Sequence, residues 1–271
     1  MKNSFAGALA TALFGALLAS GAAHAEMSTE ELAKLAQNPV GNLISVPFQN
    51  NTNFDYGPLE KYQNILNIQP VYPIHLSDEW NVITRTIFPL LWQPAVYPGQ
   101  GSTFGLGDTQ FSAFLSPAQP KGLIWGVGAI AQLPTHTSDV LGNDRWALGP
   151  TAVVLKITHG SPWVYGVLAN NIWSVNGSNS SPPISQMLVQ PFLNYNFKGG
   201  AYLTTAPIIT ANWQADSGDT WTVPLGGGVG KIFHLGRLPV NTQASAYYNV
   251  ETPKYGPDWQ LRLQVQLMFP K

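Results

Sequence analysis

Along the C-terminal segment, Trp259, Leu261, Leu263, Val265, Leu267 and Phe269 occupy one parity, and Gln260, Arg262, Gln264 and Gln266 occupy the other. A β-strand sends alternate side chains to opposite faces, so this strand has one apolar face and one polar face. In a soluble sandwich the apolar face packs inward and the outer face is charged. In a membrane barrel the apolar face meets lipid and the polar face lines a wet interior.

The rest of the chain favours the barrel. Charged residues make up 10% of the sequence, against about 25% in ordinary soluble domains, while aromatic residues make up 11%. So few charges do not cover a soluble surface of this size. Lys2, the apolar stretch from Phe5 to Ala23 and the small-residue site Ala23-His24-Ala25 predict a signal peptide over residues 1–25. After it, no apolar run approaches the roughly 20 residues of a membrane helix, and the remaining way across lipid is a closed barrel. Cysteine is absent, which removes disulfides and thiol chemistry. A net charge of −1 without a basic patch argues against nucleic acid as a partner.

Residues 26–41 are expected to form a short helical segment. Ser28 and Glu31 have capping-box spacing, and Asn38-Pro39 ends the turn. Two roles are open to it: a periplasmic extension, which is favoured, or a plug in the lumen. Residues 42–271 are expected to form the barrel, with strands starting near Leu43, Tyr62, Trp80, Gly105, Leu123, Thr151, Trp163, Gln186, Ala201, Trp221, Val240 and Trp259. Short turns at Ser77-Asp78, Ser116 to Lys121, His159 to Ser161, Lys198 to Gly200 and Leu235-Gly236 alternate with longer polar loops. The loops run Asn50 to Lys61, Gln93 to Phe104, Thr135 to Gly149, Asn176 to Ser185, Gln214 to Thr220 and Glu251 to Asp258. This alternation, with an even strand count, fits a Gram-negative outer-membrane barrel with the short turns in the periplasm. Eight of the tryptophans fall near expected strand ends, as aromatic girdles require, and Trp146 falls in an expected loop.

Parity then names the lumen-lining candidates: Arg85, Asp108, Lys156, Asn241, Gln243, Tyr247, Arg262, Gln264 and Gln266. Charges on the lipid face cost about 2–4 kcal/mol at the bilayer midplane, which places the charged ones inside. Arg85 and Asp108 stand on adjacent strands as a candidate ion pair. Ile83 and Ile87 share the inward parity with Arg85 and fit it poorly. Gly226-Gly227-Gly228 predicts a bulge or bend and leaves the parity of Lys231 open. The inward charges serve either a structural network or a constriction that selects solutes. With twelve strands the interior lies between a filled barrel and a water channel, so a narrow or plugged pore is expected.

Catalytic and metal signals are weak. His75, His136, His159 and His234 fall singly in turns, loops and strand ends, without a serine and an acid at fixed spacing or a zinc-site neighbour. His75 beside Ser77 is the best of them. Gly105-Leu106-Gly107-Asp108 has too few glycines, and no following helix, to cradle a phosphate. Asn176-Gly177-Ser178 matches a glycosylation sequon in form only. No cofactor and no metal are implied, and a non-enzymatic protein is expected.

Four stretches carry a likeness: Asn42 to Asn51, Gly105 to Asp108, Pro207 to Trp213, and Pro224 to Lys231. Through them the chain resembles bacterial outer-membrane transporter-like proteins similar to the family named for the MetA pathway of phenol degradation. The resemblance spans nearly all of the chain after the signal segment and marks no catalytic residue. It implies a barrel in the outer membrane, in contact with lipid, that takes up small solutes, hydrophobic or aromatic ones among them. One departure from barrels in general is that Pro270 and Lys271 follow Phe269 instead of Phe269 ending the chain. The leading expectation is passive uptake through the barrel. The alternatives are a closed structural or surface-interaction barrel whose loops do the work and a lipid-modifying barrel enzyme.

Overall fold

The alternating C-terminal segment forms β15 (Trp259–Phe269), which pairs on one side with β14 (Leu238–Glu251) and on the other with the first strand, β1 (Ile44–Tyr56). The second pairing runs from Ile44 opposite Phe269 to Phe54 opposite Trp259 and closes the sheet on itself. In this computed structural model, which describes residues 27–120, 122–176 and 181–270, the result is a closed antiparallel barrel of twelve crossings. The expected signal segment, Lys121, residues 177–180 and Lys271 lie outside the described residues.

Three of the twelve crossings are broken. β2 (Lys61–Ile68) and β3 (Val71–His75) form one, β5 (Thr103–Leu106) and β6 (Thr109–Pro117) the second, and β11 (Ala201–Thr205) and β12 (Ile209–Asn212) the third. The unbroken ones are β1, β4 (Trp80–Gln93), β7 (Leu123–Leu133), β8 (Trp146–Ile157), β9 (Trp163–Asn176), β10 (Ser185–Asn196), β13 (Trp221–Leu235), β14 and β15. Pro70 and Pro207 sit at two of the breaks, where a residue without an N–H cannot serve the ladder. At the first break the backbone still bridges, with Gln69 N–H donating to Pro47 O and Thr86 N–H to Pro70 O. At the third, Ala206 to Ile208 leave the ladder, and Tyr247 and Arg262 from across the lumen take over the polar groups of Ala206.

One end of the barrel carries the tight connections at 76–79, 118–122, 158–162, 197–200 and 236–237; the other carries the longer ones. Short turns mark the periplasmic end of such barrels. Two loop boundaries differ from expectation. The first outer connection shrinks to residues 57–60, because polar Asn51 and Asn53 continue the inward parity of β1 and extend the strand to Tyr56. β8 begins at Trp146, five residues before the expected Thr151, so Trp146 is a strand residue with its ring outward and exposed.

Tryptophans gather at both ends. Trp80 and Trp125 meet edge to face at 5.9 Å near the periplasmic turns, as do Trp163 and Tyr195 at 4.8 Å. At the opposite end Trp213 and Trp221 meet at 5.4 Å, and Tyr248 and Trp259 at 4.9 Å. Between these girdles the outer face exposes Phe111, Leu115, Val127, Leu193, Leu203, Val229, Leu263 and Val265. An apolar belt between aromatic girdles is the outer surface of a membrane-spanning barrel.

The glycine run in β13 pairs in continuous register, with Gly226, Gly227 and Gly228 opposite Tyr247, Ala246 and Ser245, so the bulge expected at the run lies earlier in the strand. The bulge lies between Val223 and Pro224, after which Ile232 is buried and Lys231 exposed, so Lys231 faces outward. Gly230 is required by its neighbour: a Cβ there would lie 2.1 Å from the Tyr202 ring, which fills the space inside.

Candidate functional site: the lumen

The N-terminal segment occupies part of the periplasmic mouth of the lumen. Helix α1 (Thr29–Ala36) starts with the expected capping box, in which Ser28 accepts from Glu31 N–H and Glu31 accepts from Ser28 N–H and Oγ–H. Those bonds hold the Glu31 carboxyl below its ordinary range. Leu32 and Ala33 are buried against Leu43, Ile232 and Met268, which face into the barrel mouth. Gln37 exchanges two side-chain hydrogen bonds with Asn196, and Glu30 accepts from Gly199 N–H.

Beyond the helix the chain turns into the barrel. Val40 packs with Ile83, Phe114, Val153, Leu155 and Val164. Ile83 is thus inward for a reason that strand parity does not reveal: it belongs to an apolar seat for Val40. These contacts put the segment inside the barrel mouth, in the position of a plug, and correct the favoured expectation of a periplasmic extension.

Outward of the plug lies a cavity of about 380 Å3. Its wall mixes amides (Gln49, Asn67, Gln69, Gln110, Gln132, Gln190) with apolar side chains (Ile65, Ile87, Leu91, Phe114, Leu168, Ile208). A second cavity, of about 500 Å3, shares Gln110, Asn170 and Leu188 with the first and continues toward the outer loops, where Asp219 and Lys254 line it.

Arg85 and Asp108 both line the inner cavity, but they do not pair as expected. The Arg85 guanidinium donates to Gln69 Oε1, and Asp108 turns to an outer loop. The break between β5 and β6 aims Asp108 at His136, whose Nδ1 lies 2.7 Å from Asp108 Oδ1. Asp108 Oδ2 accepts from Asn143 N–H at 2.6 Å and from the Gln132 amide at 3.4 Å. His136 Nε2 lies 3.3 Å from Asp144 Oδ1, and Asp144 accepts from Ser181 Oγ–H. Gly142 makes this packing feasible, since a Cβ there would fall 2.5 Å from Asp108 Oδ1 and 2.6 Å from His136 Cβ. The cluster folds the loop over residues 134–145 inward, so that Leu141 is buried and lines the cavity.

This cluster escaped the sequence reading because its members are 28 and 8 residues apart. The β6–β7 register holds the missing signal: Thr109 stands opposite Leu133, which puts Asp108 beside the residues that lead to His136. The cluster's hydroxyl, Ser181 Oγ, is bonded to Asp144 and not to His136 among the described residues. The cluster acts as a latch, and His136→Ala should release the loop. Losing a buried bond to a carboxylate costs about 1–3 kcal/mol, so trypsin should cut after Arg145 roughly tenfold faster in proteoliposomes. An unchanged rate would mean the loop is held by other contacts.

The remaining inward candidates fill the opposite wall. Arg262 donates from Nε to Asn51 Oδ1 at 3.1 Å, from Nη1 to Ala206 O at 2.9 Å and from Nη2 to Gln260 Oε1 at 3.0 Å. Its guanidinium lies 4.8 Å over the Tyr247 ring, whose hydroxyl accepts from Ala206 N–H. The brace thus supplies both polar groups of Ala206 at the third strand break. Tyr202 Oη–H donates to Asn241 at 2.8 Å, Asn241 donates to Gln266, and Gln266 donates to Ser45. Gln243 donates to Ser245 Oγ, and Gln264 lies half-buried on the same inward parity.

Lys156 departs from expectation. Val153 and Leu155 are buried, whereas Lys156 is exposed on the other parity, one residue from the end of β8. It faces outward at the periplasmic rim, where its ammonium can reach headgroups and water. The early start of β8 does not cause this; the apolar seat for Val40 does, because it makes inward residues read as lipid-facing. His75, the last residue of β3, lies 3.3 Å from Asn81 and 3.9 Å from Asp78, while Ser77 Oγ accepts from Glu79 and Trp80 N–H instead of meeting the imidazole.

No family model matches the chain, and no curated protein matches it. Solved structures do. An outer-membrane channel from Pseudomonas putida F1 is 19% identical at a TM-score of 0.63, with 86% of this chain and 97% of that chain covered. Outer membrane phospholipase A from Escherichia coli is 14% identical at a TM-score of 0.46, covering 91% and 99%. The CymD monoaromatic hydrocarbon channel is 10% identical at 0.47, covering 93% and 95%. The first likeness shows the closed-barrel fold. The other two are too loose to carry a residue across.

Proposed function

We propose that the protein is an outer-membrane channel for the passive uptake of small solutes with apolar bodies. The observation that carries this reading is the inner cavity, in which amide and aliphatic side chains alternate around a space of about 380 Å3 that adjoins an outer vestibule. A barrel built only for structure would fill that volume with side chains, as small barrels do. A concave wall that combines apolar surface with polar groups able to fix orientation is what a small-molecule site offers, and here the two kinds of side chain are about equally represented. Its partners are then the lipid around its apolar belt and the solute itself, and its chemistry is binding and passage without bond making. The fold of the Pseudomonas putida channel agrees with such a role.

The test is uptake in cells whose outer membrane lacks general porins. Labelled benzyl alcohol should enter faster when the protein is present. Equal rates with and without it would remove the reading and favour a barrel that works through its outer loops.

A further inference from the structure

We infer that Arg85 forms the anchor of a binding site for a small organic monoanion with an apolar body, such as an aromatic carboxylate. The inference deepens the channel reading and rests on it for the solute's route, though not for the binding itself.

The two lumen arginines differ in how they are satisfied. Arg262 has three acceptors and an aromatic face, and it is almost wholly removed from solvent. A guanidinium carries five N–H donors, and among the described residues Arg85 uses its own on a single neutral partner, Gln69 Oε1. No carboxylate lies within ion-pair distance of Arg85 among the described residues. Asp108, the carboxylate in the same cavity, has both oxygens occupied by His136, Asn143 and Gln132. The half-buried Arg85 side chain therefore presents unused donors to the cavity it lines.

A buried charge is normally paired, and the wall around this one defines the partner. Ile65, Ile87, Phe114 and Leu168 offer an apolar surface for a ring or a branched chain. Gln110 and Gln190 add neutral amides and no second cation. Phosphate or sulfate would bring more charge than one arginine offsets and would lose hydration against the aliphatic wall. A carboxylate on an apolar body matches both halves, since a guanidinium fork fits its two oxygens.

Calorimetric titration of the full barrel in detergent compares benzoate with benzyl alcohol, its uncharged counterpart. Benzoate should bind the unaltered protein roughly tenfold or more tightly than benzyl alcohol. Arg85→Gln should weaken benzoate by a similar factor and weaken benzyl alcohol far less, because the charge of the anchor acts on the carboxylate alone. Ile87→Trp keeps the arginine but fills the cavity and should abolish both. The inference is overturned if the unaltered protein does not bind benzoate, or does not prefer it. It is equally overturned if Arg85→Gln or Ile87→Trp leaves benzoate binding intact. Should Arg85→Gln fail to fold, the preference of the unaltered protein and the Ile87→Trp result decide. Binding that depends on Arg85 without any uptake would retire the channel reading and keep the site. Uptake without benzoate preference would do the reverse.

Discussion

Deleting residues 27–41 is expected to convert a nearly silent barrel into one that conducts, with single-channel conductance rising roughly threefold or more, because a twelve-stranded wall encloses more room than side chains alone fill. The wall does not need the segment in order to close, since β1 and β15 pair along eleven residues from Ile44 to Phe54. What the segment contributes is obstruction. Val40 sits among Ile83, Phe114, Val153, Leu155 and Val164, and α1 covers Ile232 and Met268 at the mouth. Removing it exposes these inward apolar side chains to a wet lumen, at about 1.5–3 kcal/mol for each fully buried side chain lost. The barrel should therefore unfold somewhat more readily while conducting better. Val40→Asp offers the same test without shortening the chain, since a carboxylate in that apolar seat is unpaired and should drive the segment out. Planar-bilayer recordings that show equal conductance in the intact and deleted proteins would mean that the restriction lies elsewhere, with the inward-folded loop at Leu141 as the next element to release.

The plug also explains what the sequence could and could not disclose. Strand parity reads a strand that has one lipid face and one wet face, as in β14 and β15, where Asn241, Tyr247, Arg262 and Gln266 are buried, Gln243 is half-buried, and Ala244, Ala246, Leu261 and Leu263 on the other parity are exposed. It fails where a third environment intrudes. Ile83, Val153 and Leu155 are inward and apolar because they meet Val40, so a two-environment rule misreads β4 in part and places Lys156 on the wrong face. The residue that creates this environment lies outside the strands altogether, in a short stretch after Asn38-Pro39 with no periodicity of its own.

Side-chain clusters were less legible than strands for a related reason. Arg85 and Asp108 share a cavity as their inward parity implies, but their partners are fixed by register and by the strand breaks. Three of the four stretches that carry the family likeness prove to shape the wall. Gly105 to Asp108 contains the second break, Pro207 lies within the third, and Pro224 to Lys231 begins at the bulge and carries the glycines of β13. Such motifs specify where a strand bends, and the bend then decides which side chain reaches the lumen.

Arg262→Ala should cost about 3 kcal/mol of barrel stability, the scale of a buried charged hydrogen-bonding group that leaves its partners stranded. The estimate rests on what the truncation orphans. Ala206 O loses its short donor and Gln260 Oε1 its donor, Asn51 Oδ1 keeps only the longer bond from Gln49 at 3.3 Å, and the Tyr247 ring loses the cation above it. Gln190, at 3.5 Å from Ala206 O, is too distant to compensate. Ala206 is the residue at which the third broken crossing leaves the ladder, so the loss falls on the least supported part of the wall. Arg262→Lys keeps the charge but cannot serve three separate acceptors from one ammonium while stacking on the ring, and it should recover only part of the loss. The contrast with Arg85 sharpens the test: Arg85 has one protein partner, so Arg85→Gln should change stability far less while changing ligand binding more. Denaturant unfolding in lipid vesicles separates the two. A loss below about 0.5 kcal/mol for Arg262→Ala, the range of ordinary surface substitutions, would show that Ala206 to Ile208 need no brace and that the third break is held by the neighbouring strands alone.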